Sequence, residues 1–302
     1  DADFFEETLN PEDKDQVKFK EQWEQLTTRT EVIKIKDAPD VNFEVRSSRH
    51  GSLINGIIEH TPADKPIALS WMLTQLDNKA LQAAYLLNHA KSFAEVETAA
   101  SNFSAPGLNV MYGDVDGNIA WWACAKLPIR PNHVQSKLFL DGASGNDEYL
   151  GFHDFSKNPH AVNPPWGYVY SANNQPDTID GNYFPGYYYP KARAGRINGY
   201  LKEDKKWSPE EMKQINLDVV SNSAPEVAKE MAAVLKTINK PEFAPLVNLL
   251  EGWNGDHKRT DTAPSVYYNM LSQIMRQAMA DEISHKAFES IAATSLLKNS
   301  FE

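Results

Sequence analysis

The period of the hydrophobic residues changes partway along this chain, and that change limits its possible folds more than any other feature. In the first two-thirds the apolar residues recur in twos. Residues 30–36 (TEVIKIK) and 42–47 (NFEVRS) each alternate as a half-buried strand does. The turn Asp37-Ala38-Pro39-Asp40 separates them, so they are expected to pair as a hairpin. Residues 108–114 and 117–125 (GNIAWWACA) repeat the plan around Val115-Asp116-Gly117, where Asp-Gly is a hairpin-turn signal. The opening DADFFEETLN reads as extended, and shorter strands are expected just after Arg49-His50-Gly51 and at 68–71. Helices are expected in this part only at 79–90 and from Ser92, where Glu95 completes a capping box.

Beyond about residue 200 the punctuation becomes helical. Ser208-Pro209-Glu210-Glu211 supplies an N-cap, a proline in the first turn and a glutamate at the third position. Ser223-Ala224-Pro225-Glu226 opens a second helix, 246–253 is a short apolar segment closed by Asn254-Gly255, and 266–297 reads as helix with one or two breaks. The expected fold class is α+β, with residues 1–200 forming an antiparallel β-rich portion and 201–302 a mainly helical one.

Between these regimes lies the densest stretch of polar chemistry, residues 163–197. After Asn163-Pro164-Pro165, residues 168–172 (YVYSA) are expected to form a strand, with Trp166, Tyr168 and Tyr170 on one face. The strand would stop at Asn173-Asn174-Gln175-Pro176, and a tyrosine-rich loop leads on to Arg193 and Arg196. An asparagine at a strand end with an arginine returned beside it suits the holding of a developing negative charge. The same residues are also ordinary turn chemistry, and the sequence leaves both readings open. His50 has no nucleophile or carboxylate pattern near it and is expected to be a hydrogen-bonded structural imidazole.

Bulk properties remove some classes of function. A net charge of −11 disfavours nucleic acid as a partner, because phosphates need a basic face. No apolar run approaches a membrane span. Cys124 is the single cysteine, so no internal disulfide framework is available. DVDGN at 114–118 starts like an EF-hand loop but lacks the later ligands. Residue 1 is Asp and the final LLKNSFE stops just past a helical pattern, so a processed piece of a longer protein is expected.

Several stretches in register resemble one family. They are Arg49-His50-Gly51, Tyr112-Gly113-Asp114-Val115-Asp116-Gly117-Asn118-Ile119 with Leu127-Pro128-Ile129-Arg130, Asn163-Pro164 through Ser171-Ala172-Asn173-Asn174, Arg193 with Arg196-Ile197, and Leu250-Glu251-Gly252-Trp253-Asn254-Gly255. In this order they resemble the β subunit of penicillin acylases, N-terminal-nucleophile amidohydrolases that include acyl-homoserine-lactone acylases. The resemblance implies part of a four-layer αββα fold and a precursor that cleaves itself into α and β subunits. It also implies hydrolysis of the amide between an acyl group and an amine through an acyl-enzyme. The nucleophile would be the first residue of the β subunit, with its own α-amine as base, a group that titrates near neutrality.

Carried onto this chain, the resemblance makes Asn173 an oxyanion-hole donor and Arg193 the group that orients it and the nucleophile. The loop tyrosines, Tyr187 and Tyr188 among them, are offered by the residues alone as lining of a pocket mouth, against the simpler reading of an aromatic loop packed onto the sheet. No cofactor is implied for catalysis; Asp3 is offered as a ligand for a structural calcium. The implied partners are a small N-acyl amide, an α subunit and the rest of the β subunit, and the implied location is periplasmic or secreted. No Ser, Thr or Cys occupies the amino terminus, so the chain alone is expected to be inactive. The alternative is a catalytically silent relative that binds an acylated ligand or a glycan through its Tyr/Trp-rich loop.

Overall fold

A computed structural model describes residues 2–58, 65–178, 181, 183–203 and 205–294. Asp1 and the helical pattern beyond residue 294 lie outside the described residues. Contacts divide the chain into two units, Asp1–Val169 with Pro176–Tyr187, and Tyr170–Gln175 with Tyr188–Glu302.

The first unit begins with β1 (Ala2–Glu6), a small hairpin of β2 (Gln16–Phe19) and β3 (Gln22–Gln25), and a longer one of β4 (Thr27–Ile33) and β5 (Val41–Ser48). Then come β6 (Gly51–Leu53), β7 (Ile67–Trp71), the single turn α1 (Met72–Gln75), α2 (Ala80–His89) and α3 (Phe93–Ser101). The hairpin β8 (Leu108–Gly113) and β9 (Ile119–Cys124) is followed by four short strands, β10 (Pro128–Ile129), β11 (Leu140–Asp141), β12 (Gly151–Phe152) and β13 (His160–Val162). A six-stranded sheet runs in the order β11-β1-β7-β6-β5-β4, antiparallel except where β1 meets β11.

The glycine of Arg49-His50-Gly51 has a clear cause. Gly51 has φ +137°, and a Cβ there would stand 2.0 Å from the Leu69 carbonyl oxygen. Only glycine lets β6 approach β7 at that point. Along β9, Ala120, Trp122 and Cys124 alternate inward and pack with Ala83, Val96 and Ala100 of α2 and α3. Strict alternation here produces a half-buried strand, as the sequence suggests. The turn at DVDGN is closed by the Asp114 carboxylate, which accepts from the Asn118 backbone N–H, the Asn118 amide and the Tyr112 hydroxyl.

One sequence expectation is corrected. Residues 168–172 form no strand, so the one-sided aromatic face of Trp166, Tyr168 and Tyr170 does not exist as a strand face. Alternation needs a neighbouring ladder to become a strand; here pairing is limited to an isolated bridge between Asn174 and Tyr189. Asn173, at φ +58°, turns the chain out of extended geometry.

The second unit carries α4 (Lys191–Leu201), α5 (Pro209–Asn216), α6 (Ala224–Thr237), α7 (Ala244–Gly252), α8 (Ala263–Ile283) and α9 (His285–Ala292). The capping box at the start of α5 is complete: the Ser208 hydroxyl accepts from the Glu211 N–H, and the Glu211 carboxylate accepts from the Ser208 N–H. Helices α6, α7 and α8 share a core of Ala228, Met231, Ala232, Val247, Leu250, Trp253 and Tyr267. Leu250 is fully buried there, and truncating such a leucine to alanine typically costs about 2–5 kcal/mol.

Candidate active site

The Asn173–Arg193 pair belongs to the second unit, and its local chain is closely tied. Asn173 sits in left-handed backbone geometry, which asparagine tolerates better than other side chains with a Cβ. Its N–H donates to the Ser171 hydroxyl at 3.3 Å, and its carbonyl accepts from the Tyr189 N–H at 2.8 Å. The two asparagines divide the labour. Asn174 performs the turn chemistry, its Oδ1 accepting from the Ala172 N–H at 3.3 Å. Asn173 turns its side chain to Arg193.

Arg193 lies in the first turn of α4. One of its terminal nitrogens donates to Asn173 Oδ1 at 2.6 Å and also to the Ala172 carbonyl oxygen. The guanidinium lies 5.1 Å from the Tyr189 ring centroid, within cation–π range. A guanidinium only donates, so the atom that meets it must be the amide oxygen. That contact fixes the orientation of the Asn173 amide and leaves its NH₂ directed elsewhere. Among the described residues nothing accepts from that NH₂, and the side chain is exposed. A positioned amide donor with an open position before it is what an oxyanion requires.

The remaining candidates belong to the first unit, except Tyr188. His50, 5% exposed, stacks on Phe5 with ring centroids 4.1 Å apart. Its Nδ1 lies 2.8 Å from Glu7 Oε1 and its Nε2 2.6 Å from Glu148 Oε1. Burial alone would push its pKa down, but the hydrogen bonds to Glu148 and Glu7 and their charges outweigh this and raise it to about 9. An imidazole that stays protonated near neutrality and is held on both sides cannot serve as a base there. His50 is a structural cation here. Sequence reasoning missed its partners, for Glu148 is 98 residues away.

Asp3 is 1% exposed, and its Oδ2 accepts from Arg130 Nε at 3.0 Å, Arg130 Nη2 at 2.7 Å and the Tyr149 hydroxyl at 2.6 Å. Its Oδ1 is buried with no hydrogen-bond partner among the described residues. One spare oxygen beside an arginine is a poor calcium ligand set, since calcium takes six to eight oxygens. No group of three or more His, Cys, Asp or Glu among the described residues could hold a metal. Asp3 has no partner ligands for such an ion among the described residues. Tyr187 is 68% exposed, and its hydroxyl donates to the Lys137 carbonyl at 3.0 Å. Tyr188, in the second unit, is half-buried.

Comparison with known proteins gives the family. The sequence profile of the family described as penicillin amidase matches residues 1–301. The chain belongs to the penicillin amidase family. Among curated relatives, penicillin acylase 2 proenzyme from Pseudomonas sp. (strain SE83) is 26% identical over 211 residues, covering 70% of this chain and 27% of that protein. An acyl-homoserine lactone acylase QuiP from Pseudomonas fluorescens is 26% identical over 154 residues, covering 51% of this chain and 19% of the relative. Among solved structures, a thermostable penicillin G acylase from Alcaligenes faecalis superposes with a TM-score of 0.78 at 21% identity, covering 95% of this chain and 53% of that one. The chain therefore has the α+β fold of that penicillin G acylase structure. The chain spans roughly a quarter of the first relative's length and about half of the solved chain.

Proposed function

We propose that these residues form part of an amidohydrolase that cleaves the amide between an acyl group and an amine, with penicillins or N-acyl-homoserine lactones as the substrate class. The proposal takes its reaction from the relatives and its residues from the Asn173–Arg193 geometry. Asn173 Nδ2 donates to the oxyanion that forms when a nucleophile attacks the amide carbonyl. Arg193 holds the amide in that orientation and adds positive charge beside it. The reacting hydroxyl and its amine come from elsewhere in a longer, self-cleaving precursor, and the acyl-enzyme is then hydrolysed by water. Tyr187 and Tyr188 stand at the pocket mouth in this proposal, and export to the periplasm or beyond goes with it. Among the described residues no helix is long and apolar enough to cross a membrane.

The observation that carries the reading is the 2.6 Å contact from Arg193 to Asn173 Oδ1. It is tested by Asn173→Ala in the full-length protein, assayed on phenylacetyl and decanoyl p-nitroanilides. Loss of one oxyanion donor lowers kcat by about 10²–10³; turnover close to that of the parent would remove Asn173 from the mechanism. One observation favours the reading of a silent binder. Trp166, Tyr183 and Tyr187 are 60%, 60% and 68% exposed, as ligand-stacking aromatics often are. Ligand binding by a full-length protein with no turnover of either anilide would decide for it.

A further inference from the structure

Asn173 and Arg193 are both exposed, so their own burial does not hold them in place. The helix that carries Arg193 is weakly anchored by apolar contact. Of the eleven residues of α4 only Ala194 is buried, and Pro190 at its N-cap provides no side-chain cap. A helix with so little apolar burial needs another tie, because helices in proteins are stabilised mainly by packing.

The tie lies one turn after Arg193. Arg196 Nε donates to Asp218 Oδ2 at 2.6 Å, and Arg196 Nη2 donates to the Tyr200 hydroxyl at 2.8 Å. Tyr200 in turn donates to the same Asp218 oxygen at 2.8 Å, which closes a ring. Asp218 Oδ1 accepts from the Val220 N–H at 2.8 Å, and the Asp218 side chain is 9% exposed. Burial works against this carboxylate, but hydrogen bonds from Arg196, Val220 and Tyr200 more than offset it and keep its pKa below the usual range.

The segment that bears Asp218 is itself braced. Val220 bridges Asp256, and the Ser221 N–H donates to the Gly255 carbonyl at 2.9 Å. Gly255 has φ +89°, and a Cβ on it would stand 2.1 Å from the Ser221 oxygen, so only glycine fits. The Trp253 indole donates to the Asp256 carbonyl at 2.8 Å. This gives the Trp253-Asn254-Gly255 stretch a physical role, since it forms the backstop of the strut. On the α4 side, a Cβ on Gly195 would lie 3.0 Å from Asn222 Nδ2, so the helix backbone also sits close to this segment.

We infer that Asp218 is a positioning residue for the oxyanion donor: through Arg196 it fixes α4, and thereby the guanidinium of Arg193 and the amide of Asn173. The inference rests on the oxyanion reading of Asn173. Loosening the strut lets the donor drift, and a misplacement of about 1 Å can cost about 10²-fold in rate. Binding of the acyl group is left largely intact.

The test is a double-mutant cycle in the full-length protein, with phenylacetyl p-nitroanilide as probe and Lys213→Ala on the exposed face of α5 as control. Asp218→Ala is expected to lower kcat about 10–100-fold, with KM within about twofold. In an Arg193→Ala background the same substitution should add nothing, because Asp218 acts through Arg193. Independent, multiplying losses in the double variant would overturn the inference. So would a normal kcat in Asp218→Ala alongside an impaired Arg193→Ala. A normal kcat in Arg193→Ala defeats the oxyanion reading instead, and the inference falls with it. If Asp218→Ala does not fold, Arg196→Lys takes its place in the cycle. It keeps the charge but loses the planar fork, and an intermediate kcat loss that vanishes in the Arg193→Ala background is expected.

Discussion

Two polar clusters in this chain follow opposite plans. On β1 of the first unit and just past its end, Asp3 and Glu7 lie at 1% and 3% exposure, with the buried Phe5 midway between them in sequence. Each is matched with a buried or half-buried cation, Asp3 with Arg130 and Glu7 with His50. In the second unit, Asn173 and Arg193 are exposed, meet through a single side-chain hydrogen bond, and leave an amide donor open. The buried cluster has almost no hydrogen-bonding capacity left for a ligand. The exposed pair has capacity but contributes little burial. Charged residues in a sequence thus mark structure when their partners use them up, and chemistry when one donor is held in place and left unused.

The strongest way to break that contrast is to uncouple the buried cluster. Arg130→Met removes the guanidinium from Asp3 and leaves a carboxylate in the interior with only Tyr149 to answer it. Breaking such a pair on one side costs about 3–5 kcal/mol. The midpoint of guanidinium unfolding should fall accordingly, and Asp3→Leu combined with Arg130→Met should recover most of the loss. A loss below about 1 kcal/mol in the single variant would mean that Asp3 is not an ion-pair partner in the native protein.

Asn173→Ala should show the reverse signature. The expected fall in kcat of about 10²–10³ corresponds to about 2.7–4 kcal/mol of barrier. The side chain is exposed but the backbone is left-handed, so unfolding should shift by only about 1 kcal/mol, the strain of alanine at that φ. If stability and turnover fell together, the pair would be a structural clamp like the one under β1, and the contrast would collapse.

Sequence legibility follows the same division. The β8–β9 hairpin and the capping box of α5 rest on residues close in sequence, so alternation and spacing reveal them; the β4–β5 hairpin also forms, but β4 ends at Ile33 and is exposed along its length, so the half-buried strand expected at 30–36 is corrected. That Asn173 and Arg193 meet was legible through the family motifs in which they stand. The strand expected at 168–172 failed because aromatic alternation says nothing about whether a neighbouring strand exists to pair with. Glu7 is 43 residues from His50, and Asp218 is 22 residues from Arg196, and no local pattern links either pair. The spacing of Asp3, Phe5 and Glu7, two apart along the extended opening, is the one local signal of their shared burial.

The mildest test uses pH in place of substitution, and it separates the clusters without removing an atom. His50 has its pKa raised from 6.5 to about 9 in the folded protein. The folded state therefore keeps a proton that the unfolded chain gives up near its ordinary value. Stability from this group is fully present below 6.5 and is lost as pH rises through about 9. That interval corresponds to about 3 kcal/mol, spread over the whole alkaline range. Unfolding free energy should decline steadily from pH 7 to 9.5. In His50→Gln, which carries no proton to lose, the curve should start lower at pH 7 and run nearly flat to about pH 8.5, above which the buried Cys124 thiol, raised from 9.0 to about 12, adds a decline of its own. A slope in His50→Gln equal to that of the parent would show that another group titrates, and that the Glu7–His50–Glu148 triad is not the ionic anchor of the first unit.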